Sequence, residues 1–334
     1  MSTPFPLGKL PPDVLADLLS RHQPTDPRVI VGPRPGEDAA VLNLGGPQYL
    51  IAKTDPITFA ADEIGWYAVN VNANDIAATG GTPQWFMATL LLPPGTDARA
   101  VGEIYDQMGR ACNALKVSLV GGHTEITHGI DRPIVVGIML GLVPRDRLVV
   151  TGGAQHGDVL LVTKGIPIEG IALIVREKAA RLGTHFSENF LLRSANFLHE
   201  PGISVVKDAQ VAQAAGRVHA MHDPTEGGLA TGLWEMAETS DKRLVASPLL
   251  ALLEEGELLC EVTGLDPLGV IASGALLMAV NPNDAGRIKT ALAAEGIAAF
   301  EIGYVEDGSA AVIDAKSGQS LPRPDRDEIA KLYE

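Results

Sequence analysis

The chain has little of what most ligand-binding strategies rely on. Only two cysteines occur, with no Cys-x-x-Cys pair, which excludes a disulfide framework and a thiolate zinc site. Aromatic residues make up 4% of the sequence, too few for a platform that stacks single-stranded nucleic acid. Lys and Arg number 26 against 41 Asp and Glu, a formal net charge of -15. A surface of that sign repels phosphate backbones and anionic membranes, so neither nucleic acid nor membrane is an expected partner. No uninterrupted apolar run approaches transmembrane length, and the N-terminus lacks a basic stretch followed by an apolar one; a cytoplasmic protein is expected. Familiar nucleotide and hydrolase signatures are missing too. Gly8-Lys9 runs into Leu10 without the earlier glycine of a P-loop, and there is no dinucleotide fingerprint, His-Glu-x-x-His or nucleophile elbow.

What is present is a packed α/β protein. With 334 residues, 46% of them hydrophobic and 20% charged, the chain is long enough for two domains. Glycine (36) and proline (23) are plentiful, which predicts tight turns and close backbone approaches. Apolar strands alternate with amphipathic helices: strands over 49–53, 85–92, 117–120 and 133–143, with a helix over 98–116. A glycine-rich, then polar, stretch near Thr151-Gly152-Gly153 precedes a new strand over 159–163. This places a boundary at about residue 152 and domains over 1–152 and 153–334. Helices over 167–181, 203–215 and 284–295 and strands over 275–280 and 298–305 continue the alternation, so a mixed α/β (α+β) architecture is expected.

The most informative stretch runs from Asn70 to Pro83. It reads as the end of a helix that begins after Asp62 and is stopped by Gly80-Gly81 and Pro83. Asn70, Asn72, Asn74 and Asp75 sit in it among small apolar residues. These are poor helix formers, and buried amides and carboxylates cost free energy unless satisfied. The expected partner is a ligand rich in charge and hydrogen bonds, with a metal ion.

Four further corners carry chemistry-bearing residues. Glu37 and Asp38 precede an apolar strand, where they form either a solvated acidic turn or a ligand corner. Thr54-Asp55-Pro56 stands at a strand end, a place where side chains converge on ligands or where Asp-Pro simply turns the chain. Gly121-Gly122-His123-Thr124-Glu125 reads as a glycine turn presenting His123 and Glu125, either of them a candidate ligand or catalytic group. His222-Asp223-Pro224-Thr225-Glu226-Gly227-Gly228 fits a capping box, with Asp223 as N-cap and Glu226 three residues on. Its two glycines also suit a phosphate brought against backbone amides at a helix N-terminus. Hard oxygen ligands on several strands suit Mg²⁺ bridging nucleotide phosphates.

Seven motifs occur in an order that resembles one superfamily: Gly8-Lys9-Leu10-Pro11, Gly36-Glu37-Asp38-Ala39-Ala40-Val41, Thr54-Asp55, Asn74-Asp75-Ile76-Ala77-Ala78, Gly121-Gly122-His123-Thr124-Glu125, Asp223-Pro224-Thr225-Glu226-Gly227-Gly228-Leu229-Ala230 and Ser273-Gly274-Ala275-Leu276-Leu277. They resemble the aminoimidazole ribonucleotide (AIR) synthase-related, or PurM-like, proteins, and within these most closely the hydrogenase expression/formation (HypE) proteins. The resemblance spans nearly the whole chain. It implies an N-terminal domain whose strands close a β-barrel with those of a twin subunit, and a C-terminal α/β domain. It also implies ATP and Mg²⁺ as cofactors, a small-molecule substrate, and a maturation-protein partner. Carried over by position, Asp38, Asp55 and Asp75 hold Mg²⁺; Asn74, Gly121, Gly122 and Thr124 line the nucleotide, joined by Asp223, Gly227 and Gly228.

The chain departs from the HypE pattern in three places. It ends Lys331-Leu332-Tyr333-Glu334 rather than in a terminal cysteine that carries a carbamoyl group. His123 stands where many relatives have an acid, and Glu226 where HypE proteins usually have arginine. The expectation is therefore an ADP-forming, Mg²⁺-dependent enzyme acting on a substrate other than that of HypE. The alternatives are a thiamine-monophosphate-kinase-like phosphotransferase and a non-catalytic nucleotide-binding assembly protein. Neither cysteine is expected to act as a carrier: Cys112 lies on the apolar stripe of a helix, and Cys260 has acidic neighbours that raise a thiol pKa.

Overall fold

The computed structural model describes residues 5, 8–60 and 62–333; Glu334, the last residue of the tail noted above, lies outside them. The chain divides into two compact units. One comprises residues 26–31 and 38–148; the other comprises 1–25, 32–37 and 149–334. The division thus falls between Leu148 and Val149, and two N-terminal stretches join the C-terminal unit, including helix α1 (Pro12–Ser20). One reason is visible in that unit. The Lys9 backbone N–H donates to Glu226 Oε2 (3.2 Å), and its ammonium donates to the Thr225 hydroxyl (3.1 Å).

The N-terminal unit is built on strands β1 (Val29–Val31), β2 (Ala40–Leu42) and β3 (Gln48–Ile57), helix α2 (Ile64–Ala78), β4 (Thr82–Leu92), helix α3 (Ala98–Leu115), β5 (Ser118–Ile126) and β6 (Ile134–Pro144). They form one sheet in the order β1-β2-β3-β6-β4-β5. Strands β3 and β6 pair antiparallel along their full length, from Gln48 opposite Pro144 to Ile57 opposite Val135. Strands β4 and β5 are parallel, joined through α3. The alternating burial of β4 and β6 reflects one face packed on helix and one face open.

Helix α2 is buried on every side, with Trp66 alone among its residues partly exposed, and it takes Asn70, Asn72, Asn74 and Asp75 into the interior with its apolar residues. It packs on α3 and on β3 and β6. Gly80, at φ 82°, turns the chain out of the helix, and the Gly81 N–H returns to the Ile76 carbonyl (2.9 Å). Gly137 and Gly141 on β6 permit the close approach: a Cβ at either position collides with the Asn72 amide or the Ile76 side chain.

The C-terminal unit runs β7 (Val159–Thr163), α4 (Ile168–Leu182), α5 (Glu188–Ala195), α6 (Val206–Ala215), β8 (Val218–His222), α7 (Gly228–Ser240), β9 (Arg243–Ala246), α8 (Glu254–Thr263), β10 (Leu277–Val280), α9 (Pro282–Ala294), β11 (Ala299–Glu306) and β12 (Ala311–Asp314). Its sheet has the order β12-β9-β11-β7-β10-β8 and is antiparallel except for the β12–β9 pair. Leu160, Val162, Leu229, Leu233, Met236, Leu277 and Ile302 are among the residues of its core. Helices α5 and α8 and strands β8, β9 and β12 are absent from the sequence reading, being short and lacking a strong period. Among the described residues no helix is long and apolar enough to cross a membrane.

Candidate functional site

Much of the polarity of α2 turns out to be internal. The Asn72 amide reaches β3: its Oδ1 accepts from the Asp55 N–H (2.8 Å), while its Nδ2 donates to the Asp55 carbonyl (3.2 Å) and to the Ala68 carbonyl (2.9 Å). Asn70 Nδ2 donates to the Trp66 carbonyl (2.9 Å). The expectation that a ligand satisfies these groups is corrected here, because backbone does so for Asn70 and Asn72. Asn74 is fully buried on the same helix.

Asp75 is different. It is 2% exposed, and its Oδ1 lies 2.9 Å from Lys53 Nζ. The same ammonium stands 3.2 Å from Asp55 Oδ2. A carboxylate oxygen of the buried Asp38 comes within 4.8 Å of one of Asp75. Burial works to lower the Lys53 pKa, but the charges of Asp75, Asp55 and Asp38 outweigh it and hold the ammonium above the ordinary lysine value. Lys53 belongs to this corner, and the sequence reading did not include it. Its signal was available: on a strand, positions 53 and 55 share a face.

Asp55 does not end its strand. Strand β3 continues through Asp55 and Pro56 and ends at Ile57, so Asp-Pro does not turn the chain but lies in the last residues of the strand, fastened by Asn72. Gly121-Gly122 is corrected in the same way. Strand β5 runs through both glycines to Ile126, paired with β4. Gly122 lies so close to β4 that a Cβ there collides with the Ala88 carbonyl, so the glycine serves the sheet. His123 and Glu125, expected at a turn tip, pair with each other along the exposed edge strand (Nε2 to Oε2, 3.0 Å). Thr124 shares a hydrogen bond with the Tyr105 hydroxyl (2.9 Å). Because β6 and β4 lie between β3 and β5, this group is about 14 Å across the sheet from the strand of Asp55.

In the C-terminal unit the expected capping box does not form. Helix α7 starts at Gly228, five residues after Asp223, with Gly227 before it at φ 82° and no side-chain cap. The Gly227 N–H donates instead to Asp327 Oδ2 (2.7 Å), and the Gly228 N–H to the Thr225 carbonyl (3.0 Å). Both amides imagined as phosphate donors therefore already have protein acceptors. Asp327 also accepts from the Ile329 (2.7 Å) and Ile271 (3.3 Å) N–H groups, tying three segments together. Asp223 is buried at the end of β8.

Buried acids surround this loop. Burial pushes the Glu169 carboxyl up to about 7; Ser273 pulls it down, and the charges of Asp327 and Glu226 add to the rise. Burial likewise takes Asp327 to about 7 against its amide hydrogen bonds. For Glu235, burial raises the pKa, yet the His222 hydrogen bond (2.9 Å) and the charges of His222, Lys9 and Arg323 bring it to about 2. Cys112 and Cys260 are both buried, and burial raises their thiols to about 11 and about 12. For Cys260 the added charges are Asp266 and Glu328 rather than its neighbours in sequence.

Comparison with known proteins agrees with this architecture. The model of the AIR synthase related protein N-terminal domain matches residues 36–143, and that of the C-terminal domain matches 155–316. The chain belongs to the AIR synthase-related family. A curated relative within it is the carbamoyl dehydratase HypE of Rhodobacter capsulatus, 30% identical over 285 residues, covering 80% of this chain and 81% of that one. Among solved structures, hydrogenase maturation protein HypE in complex with ATP superposes with a TM-score of 0.69 at 23% identity, covering 90% of each chain. The ThiL protein complexed with AMPPCP and TMP gives a TM-score of 0.75 at 23% identity, covering 97% of this chain and 99% of that one. These likenesses show a PurM-like two-domain α/β fold.

Proposed function

We propose that this family member is an Mg²⁺-dependent, ADP-forming enzyme that uses ATP to phosphorylate a small substrate or to activate its oxygen as a phosphate ester. The observation that carries the reading is the corner of Asp38, Asp55 and Asp75. Two of its three carboxylates are buried within 4.8 Å of each other, and hard oxygen donors of this kind fit Mg²⁺. Asp38 and Asp75 would hold such an ion between them. Lys53 is the cation that faces Asp55 and Asp75 in this structure, and the three acids together carry more negative charge than one ammonium neutralises, which favours a positive ligand.

In this reading Asp38, Asp55 and Asp75 hold the metal, which neutralises phosphate charge. Phosphoryl transfer depends on positioning and on charge neutralisation more than on a protein base. Asn72 contributes by fixing the β3 backbone at Asp55. Asn74, Gly121, Gly122, Thr124, Asp223, Gly227 and Gly228 are nucleotide contacts by family resemblance. Gly227 and Gly228 serve the turn itself, at positive φ and packed against Thr231, Leu268 and Val270, so their part toward nucleotide rests on the resemblance alone. His123 and Glu125 remain candidates for a role toward substrate. The proposal includes domains over 1–152 and 153–334, a cytoplasmic homodimer closed by a shared β-barrel, and a maturation-protein partner.

ADP release from purified protein with ATP, Mg²⁺ and a panel of small acceptors, thiamine monophosphate among them, tests the activity. Retention of nucleotide with no ADP release across the panel would favour a binding module instead.

A further inference from the structure

We infer that Lys53 is a resident competitor at the acidic corner: its ammonium holds Asp55 and Asp75 until a metal–nucleotide complex displaces it onto phosphate, so metal alone binds poorly. The inference rests on the reading that this corner takes a divalent ion.

Strand geometry puts Lys53 in place. Residues 53 and 55 share one face of β3, the strand against which α2 packs and presents Asp75. The ammonium sits 2.9 Å from Asp75 Oδ1 and 3.2 Å from Asp55 Oδ2, and its side chain is 19% exposed. It therefore neutralises two carboxylates in a partly buried setting, where charges are weakly screened by salt. A divalent ion that binds Asp75 meets a positive charge a few ångströms away, which opposes its entry.

Nucleotide reverses that balance. Mg²⁺ sheds water reluctantly and takes one or two carboxylates together with substrate phosphates. A metal arriving with phosphates brings negative oxygens that can receive the displaced ammonium. Lysine suits such a transfer, being a compact charge on a flexible four-carbon stem.

The test is the affinity for Mn²⁺, alone and with a non-hydrolysable ATP analogue, measured calorimetrically on the full chain. Lys53→Met is expected to bind Mn²⁺ alone at least about tenfold tighter than wild type, because a nearby repulsive charge is gone. The gain in Mn²⁺ affinity from adding the analogue should shrink in the same variant. Lys53→Arg, which keeps the cation, should stay close to wild type. If Lys53→Met unfolds, Lys53→Gln carries the same comparison. Unchanged or weaker Mn²⁺ binding by a folded, charge-free variant overturns the inference. Asp75→Asn separates the two levels: loss of Mn²⁺ binding supports the metal corner, and intact binding sinks that reading itself.

Discussion

Asn72 reads Asp55 as a neighbouring strand would, accepting from its N–H at 2.8 Å and donating to its carbonyl at 3.2 Å. One side chain thereby fixes the backbone that carries one of the three acids of the corner. Replacement by alanine removes both bonds and the third to Ala68, leaving polar backbone short of partners. Asn72→Ala should cost about 2 to 3 kcal/mol in urea denaturation. A loss within a few tenths of wild type would show that the clamp contributes little.

Asp38→Asn and Asp75→Asn remove charge while keeping shape. Each should weaken Mg²⁺-ATP binding at least about tenfold in calorimetric titration, since fewer anionic ligands face the metal. Far-ultraviolet circular dichroism should be unchanged. Binding equal to wild type in both variants would refute the metal assignment.

Glu169 gives a pH signature. Its carboxyl titrates at about 7 in the fold against an ordinary 4.5, so the native state holds a proton that the unfolded chain has released. The stability it contributes is full below pH 4.5 and declines as pH rises to about 7, by at most about 1.4 kcal/mol per pH unit. Glu169→Gln should flatten that slope and make the protein more stable than wild type at pH 8. Denaturation midpoints between pH 4.5 and 8 check this; parallel profiles for the two proteins would contradict it.

Asp327 holds the loop before α7. Asp327→Ala leaves the N–H groups of Gly227, Ile271 and Ile329 without their acceptor. Amide exchange at these three positions should accelerate together, while amides in the core of β7 remain slow. Exchange that rises only at Ile329 would mean that Asp327 secures the tail and not the loop.

The two thiols should be inert. Cys112 and Cys260 are buried with pKa values of about 11 and about 12, so neither presents thiolate near neutrality. Native protein should leave Ellman's reagent unreacted until denaturant is added. The double serine variant should retain whatever ATP turnover the wild type shows. A carbamoyl mass increase on the native protein, after incubation with carbamoyl phosphate and a maturation-protein partner, would restore a carrier role.

The sequence alone carried the α/β alternation, a helix that begins after Asp62 and stops at Gly80-Gly81, and Asp38, Asp55 and Asp75 as candidates. Those signals are local: apolar period, glycine stops, and polar residues where burial makes them conspicuous. Tertiary structure decided what the same residues touch. Pairing with β4 draws β5 through Gly121-Gly122, overriding the local turn signal. Asp327, 100 residues from Gly227 along the chain, takes the amide that a local capping box would have satisfied. Lys53 pairs with Asp55 on its own strand, but its contact with Asp75 exists only because α2 packs against β3. Propensity and spacing act over a few residues, whereas charge neutralisation and amide satisfaction depend on which distant segments share the same space.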